Sequence, residues 1–199
     1  MSADVWLAFS LFAFVTSITP GPNNIMLLAS GVNFGFRASI PHVLGISSGF
    51  LVLVVAVGLG LTEIFARYPL IYTAMRWIGF AYLLYLAWRI ADSGTLAAKS
   101  PDGSGGRPLG FWAAAAFQWV NPKAWFMAIG ALSTYVPAGS SVPMVVGVAV
   151  LFALINAPCV SVWAAFGSRL RQLFRVPRYQ RIFNYGMAAL LVASLVPLL

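Results

Sequence analysis

Two stretches combine polar side chains with prolines inside otherwise apolar runs: "TPGPNN" (19–24) and "WVNPKAW" (119–125). Pro20 and Pro22 have no N–H to donate to the carbonyls of Thr16 and Ile18, and Pro122 leaves that of Gln118 without its helical donor. In hydrocarbon each freed carbonyl must find another partner or carry a heavy cost. Such carbonyls can hold an ammonium group, and the helix N-terminus that follows each break offers N–H donors to a carboxylate. A zwitterion needs both. The pattern nominates Thr19, Pro20, Gly21, Pro22, Asn23 and Asn24, with Gln118, Asn121, Pro122 and Lys123, as the lining of one binding site. Asn156, beside Pro158, marks a softer break that could line the same cavity or hydrogen-bond between helices.

Lys123 is the charged side chain expected deepest in the apolar spans. Placing a lysine there costs at least ~2.5 kcal/mol, so a function is the default reading. It could hold a carboxylate or carry a coupling proton; its stem could also snorkel outward. Catalytic signals are absent from the motifs. "GISSG" (45–49) matches a nucleophile-elbow pattern but falls inside an apolar helix, and His42 shares a helix face with neither Ser47 nor Ser48. No metal-ligand cluster, phosphate loop or dinucleotide fingerprint occurs, so no enzyme activity, metal or cofactor is expected. His42 is expected at the membrane interface. The aromatic residues Phe117, Trp119, Trp125 and Phe126 flank the second motif and would suit a neutral or apolar ligand side chain.

These residues need positioning elements, and composition says which. The 199 residues are 61% hydrophobic and 8% charged, where a soluble domain carries about 25% charge. The chain reads as an all-α integral membrane protein, and the lipid bilayer is its first partner. The net charge of +8 is distributed as punctuation between apolar runs, which excludes a nucleic-acid module. One cysteine, Cys159, rules out an intrachain disulfide. With Asp4 the only charge before Arg37, no signal peptide is expected.

Runs of about 20 apolar residues give six spans: 5–31, 40–62, 69–90, 109–132, 142–167 and 182–199. Arg37, Arg89, Lys99, Arg107, Arg169, Arg171, Arg175, Arg178 and Arg181 collect on one side, against Arg67 and Arg76 on the other. This bias places loops 1, 3 and 5 in the cytoplasm and both termini outside. A Gly- and Ser-rich linker, 92–108, separates repeat 1 (1–91) from repeat 2 (109–199). Three spans per half invert the second half relative to the first. Matched pairs support a 3+3 inverted repeat with broken helices 1 and 4: Pro22 with Pro122, "PHVLG" (41–45) with "PMVVG" (143–147), and Arg76 with Arg181 opening the third spans. Gly45 and Gly49 form a GxxxG spacing, which points to helix association within the chain or in a homodimer.

With "ITPGPNN" in the first span, "GFRASIPHVLGISSG" after it and "NPKAW" in the fourth, the whole chain resembles the LysE/RhtB amino-acid exporters of bacterial inner membranes. The resemblance implies a multi-pass inner-membrane protein that exports amino acids or their derivatives by proton antiport, with substrate and protons as partners. By that family's pattern Thr19, Pro20, Gly21, Pro22 and Asn23 match the first motif, and Asn121, Pro122 and Lys123 the second. Asn24 stands on the physical argument alone. The substrate would bind between broken spans 1 and 4 while the repeats rock around it. The alternatives are a non-transporting scaffold, a channel, or a metal-ion exporter of the same superfamily.

Overall fold

The computed structural model describes residues 2–92, 107–137 and 139–196. Among them the regular structure is entirely helical: α1 (Ala3–Ile18), α2 (Pro22–Phe34), α3 (Phe36–Gly58), α4 (Leu61–Arg67), α5 (Pro69–Ala91), α6 (Phe111–Phe117), α7 (Pro122–Tyr135), α8 (Val142–Leu170) and α9 (Pro177–Ala193), with short 3₁₀ turns at Gln118–Val120 and Leu173–Arg175. Most of the predicted linker, 93–106, lies outside the described residues.

Both expected breaks are present. The first predicted span is two helices, α1 and α2, bent by 53°. Pro22 supplies the first residue of α2, where a missing N–H costs nothing. In the fourth span the 3₁₀ turn ends at Asn121, which caps α7 by accepting the Lys123 N–H on its side chain, and Pro122 again begins the helix. The expected break at Asn156–Pro158 is not there. α8 runs unbroken through Pro158, since one lost backbone bond in a long, well-packed helix is tolerated.

Helices α3, α5 and α8 are long and apolar enough to cross a membrane, and α1 with α2 makes a fourth if the bent pair is one span. The other two predicted spans differ from expectation. One is divided between α6 and α7, each too short alone. The last begins at Pro177 rather than 182 and has 17 helical residues, with Arg178, Gln180, Arg181 and Asn184 in its first half. Arg76 does not open its span either; it lies inside α5, seven residues past Pro69.

Close packing explains several small residues. A Cβ on Gly31 would collide with the Ala164 carbonyl, and one on Gly167 with the Leu28 carbonyl, so α2 and α8 meet backbone to backbone. Gly45 and Gly49 do the same for α3 against the carbonyls of Phe111 and Ala115 on α6. The GxxxG spacing therefore serves a contact within the chain. Gly35, at φ 89°, makes the turn from α2 to α3, a conformation a Cβ would strain.

Two apolar clusters fill the interior. One is built around Phe9, Phe50 and Phe152, whose rings meet edge to face. The other is built around Leu27, Ile46, Leu83, Phe117 and Leu191. A layer of polar side chains lies between them. His42, expected at the interface, is instead 1% exposed, with neither ring nitrogen hydrogen-bonded.

Candidate functional site

The polar layer forms where the two interrupted helices meet. Asn23, one residue into α2, and Gln118, on the 3₁₀ turn, pair their side-chain amides in both directions. Asn23 Nδ2 donates to Gln118 Oε1 at 2.8 Å, and Gln118 Nε2 donates to Asn23 Oδ1 at 3.2 Å. Gln118 Nε2 also donates to the Ala114 carbonyl at 2.9 Å. Asn24 reaches back across the first break, donating to the carbonyls of Ser17 at 3.0 Å and Thr19 at 2.7 Å.

Lys123 crosses from the second break to the first. Its ammonium donates to the Thr19 carbonyl, to Thr19 Oγ1 at 3.0 Å and to the Pro20 carbonyl at 3.2 Å. Gly21 makes room for this stem: a Cβ there would lie 2.6 Å from Lys123 Cδ. The sequence pattern offers the carbonyls of Thr16, Ile18 and Gln118 to a ligand's ammonium; Lys123 instead takes those of Thr19 and Pro20. In this conformation the ammonium is the protein's own.

The carbonyls freed by proline are not open, contrary to expectation. Thr16 O accepts from Thr19 Oγ1 at 3.1 Å. Ile18 O accepts from Trp163 Nε1 of α8 at 3.1 Å. Gln118 O accepts the Asn121 N–H at 3.4 Å, closing the 3₁₀ turn. Each break is a satisfied irregularity, as hydrocarbon demands.

These groups enclose a cavity of about 20 Å³, room for one or two waters. Of the predicted residues, Gly21, Asn23, Asn24, Gln118, Asn121, Lys123 and Asn156 line it. Thr19, Pro20 and Pro22 do not; they shape the break that receives Lys123. Thr16, Ser17, Ile46, Phe50, Ala124, Met127 and Val160 complete the wall. The motifs do not single these out, although Met127 follows Lys123 by one helical turn. Asn156 donates to Ser17 Oγ at 3.1 Å, while its buried Oδ1 has no partner. A buried acceptor left unpaired on a residue that lines a cavity calls for a donor.

The aromatic residues are placed differently from expectation. Phe117, Trp119, Trp125 and Phe126 do not line this cavity. Phe117 packs on Tyr82, with ring centroids 5.8 Å apart; the other three wall a separate groove on the far side of α7. Among the described residues no three His, Cys, Asp or Glu side chains cluster to hold a metal ion. His42 has no bond to Ser47 that could activate a nucleophile.

Comparison with known proteins covers nearly the whole chain. The family model described as "LysE type translocator" matches residues 14–196. The chain is 38% identical over 194 residues, 96% of both chains, to the cysteine/O-acetylserine efflux protein of Escherichia coli (strain K12). It is equally similar to that of Shigella sonnei (strain Ss046). It is 39% identical over 187 residues to that of Shigella flexneri serotype 5b (strain 8401), covering 93% of this chain and 92% of the relative. No solved structure matches the chain. With nearly its whole length aligned and both helix breaks in place, this chain belongs to the LysE-type translocator family.

Proposed function

We propose that this protein is a secondary transporter of the bacterial inner membrane that exports small neutral amino acids or their derivatives. The observation that carries the reading is the cavity at the meeting of two helix breaks, lined by the cation of Lys123 and by Asn156, whose buried acceptor has no partner. Cysteine and O-acetylserine, named for the relatives, are the first substrates to try. Lys123 holds the carboxylate by a charge-assisted hydrogen bond. Asn156 Oδ1 accepts from the ammonium group. Ile46, Phe50, Met127 and Val160 offer only apolar surface to the side chain, which suits a short, uncharged one.

A cavity of about 20 Å³ is smaller than any amino acid, so this conformation is closed around its centre. Transport then proceeds by alternating access, the breaks at 19–21 and 121 serving as the joints. To take a carboxylate, the Lys123 ammonium leaves the carbonyls of Thr19 and Pro20, so substrate entry and release of that clasp are one event. Proton antiport supplies the driving force, with Lys123 as the candidate proton carrier. The packing supports an inverted 3+3 arrangement. α1 and α2 lie on α8 as α6 and α7 lie on α3, while α3 meets α8 and α5 meets α9. Loops 1, 3 and 5 face the cytoplasm, by the distribution of arginine and lysine.

The test is efflux from proteoliposomes loaded with a panel of labelled amino acids, with and without a pH gradient. Gradient-stimulated efflux of cysteine, O-acetylserine or similarly small neutral amino acids is expected. Efflux of none, from folded protein, would overturn the reading. Flow that ignores the pH gradient would replace antiport by a channel, and competition by divalent ions would point to a metal-ion exporter.

A further inference from the structure

A second, larger cavity lies on the opposite face of α7. It measures about 220 Å³ and is walled by Met75 and Arg76 of α5, Trp119 of the 3₁₀ turn, and Trp125, Phe126 and Ile129 of α7. Gly79 lets α5 approach the 3₁₀ turn so closely that a Cβ would lie 2.6 Å from the Val120 carbonyl oxygen. Phe65 of α4 stacks on Trp125 at its edge, with ring centroids 5.3 Å apart. Phe126 is 66% exposed and Ile129 42%, so the groove opens sideways, toward the surroundings of the helices.

We infer that this groove is a binding site for one anionic phospholipid, its phosphate at Arg76 and an acyl chain along the aromatic wall. Arg76 lies seven residues into α5, about 10 Å along the helix from Pro69. From that depth an arginine reaches the headgroup level with its guanidinium while its stem stays in apolar surroundings. A guanidinium has five N–H donors in a planar fork that matches phosphate oxygens, so it can keep a contact within the chain and still take a phosphate.

Charge decides the occupant. The chain has four carboxylate side chains, Asp4, Glu63, Asp92 and Asp102, and none is among the residues that wall the groove. A second copy of this protein would cover the apolar wall, but the acids of its described helices stand at span ends, Asp4 and Asp92, or on the short α4, Glu63, and none lies within an apolar span. A lipid phosphate brings an anion and an apolar chain together. The inference depends only on membrane embedding, not on which solute the central cavity takes.

The experiment titrates full-length protein in a neutral detergent with phosphatidylglycerol, phosphatidylcholine or glycerol phosphate, reading retained lipid by native mass spectrometry and Tm by thermal shift. Wild type should retain one phosphatidylglycerol in preference to phosphatidylcholine and gain Tm with it, and glycerol phosphate should do neither. Arg76→Gln should weaken that binding about tenfold or more and abolish the headgroup preference, whereas Arg76→Lys should keep the preference. Ile129→Trp, which fills the groove while leaving Arg76 in place, should lose the lipid. Equal retention of phosphatidylglycerol by wild type and Arg76→Gln, or by wild type and Ile129→Trp, would overturn the inference. Stabilisation by glycerol phosphate alone would also overturn it, in favour of a soluble anion. Efficient disulfide cross-linking between copies of Phe126→Cys in native membranes would overturn it too, in favour of a second copy; the one native thiol, Cys159, is buried.

Discussion

Replacing Lys123 by methionine separates its two contributions, because the structure makes the folding cost small and the functional cost large. The Thr19 carbonyl keeps Asn24 Nδ2 at 2.7 Å when the ammonium is removed, and Pro20 is exposed. The methionine stem can follow the same path past Gly21. The variant should therefore fold and elute as wild type does. On the proposed mechanism the ammonium exchanges its carbonyls for a carboxylate in the loaded state, and a hydrogen bond involving a charged group is worth about 1.5–3 kcal/mol. Its loss should lower efflux efficiency by about tenfold to somewhat over a hundredfold. The assay is proteoliposome efflux of labelled O-acetylserine. The corresponding amino-acid amide serves as a second substrate that lacks the carboxylate. Lys123→Met should reduce wild-type preference for the acid over the amide, which a merely structural lysine would not do. Lys123→Arg keeps a cation but cannot release a proton: retained gradient-driven efflux assigns carboxylate binding, and retained exchange without gradient stimulation assigns the proton. Wild-type efflux and wild-type preference in folded Lys123→Met would refute the reasoning.

Other outcomes follow from individual contacts. Asn156→Leu removes the unpaired acceptor, so apparent affinity for amino acids should fall about tenfold while an analogue lacking the amino group is unaffected, as competition assays would read. Trp163→Phe strips the Ile18 carbonyl of its donor and should cost about 1–3 kcal/mol, measured as a lower Tm in detergent. A double-mutant cycle on Asn23→Ala and Gln118→Ala should give a coupling energy of about 0.5–3 kcal/mol, because each amide is the other's partner; additive losses would deny the pairing. Gly31→Val forces a side chain into the Ala164 backbone and should abolish folded protein, whereas Gly147→Ala, with nothing within 4 Å of the added carbon, should be neutral by size-exclusion chromatography.

The parts of the site legible in the sequence were those with a local cause. Proline removes a donor at a fixed offset, so the breaks at Pro20–Pro22 and Pro122 could be read from single residues. Lys123 stood out because charge is expensive in an apolar run. What the sequence hid was partnership over long separations. Trp163 is 145 residues from the carbonyl it satisfies, and Lys123 is 104 from Thr19; no periodicity marks either pair. Asn156 was placed in the cavity, but the break assigned to it was an over-reading of Pro158, because packing along α8 outweighs one missing bond. The aromatic residues of the second motif misled for a related reason. Sequence shows that they neighbour Lys123 along the chain, yet α7 points Trp125 and Phe126 to its other face, Trp119 joins them from the 3₁₀ turn and Phe117 packs on Tyr82.

The backbone contacts at glycine decide which parts of this protein can move. Gly31 and Gly167 join α2 to α8, and Gly45 and Gly49 join α3 to α6. Each seam takes one helix from before the linker and one from after it. The two halves of the sequence are therefore interlocked like clasped hands, and neither can tilt as an independent block without tearing both seams. Under the proposed alternating access, bending would be absorbed within the chain, at Thr19–Gly21 and at Asn121, with the glycine-joined pairs travelling as units. A chain cut between residues 92 and 107 should accordingly yield fragments that are unstable alone but reassemble when made together.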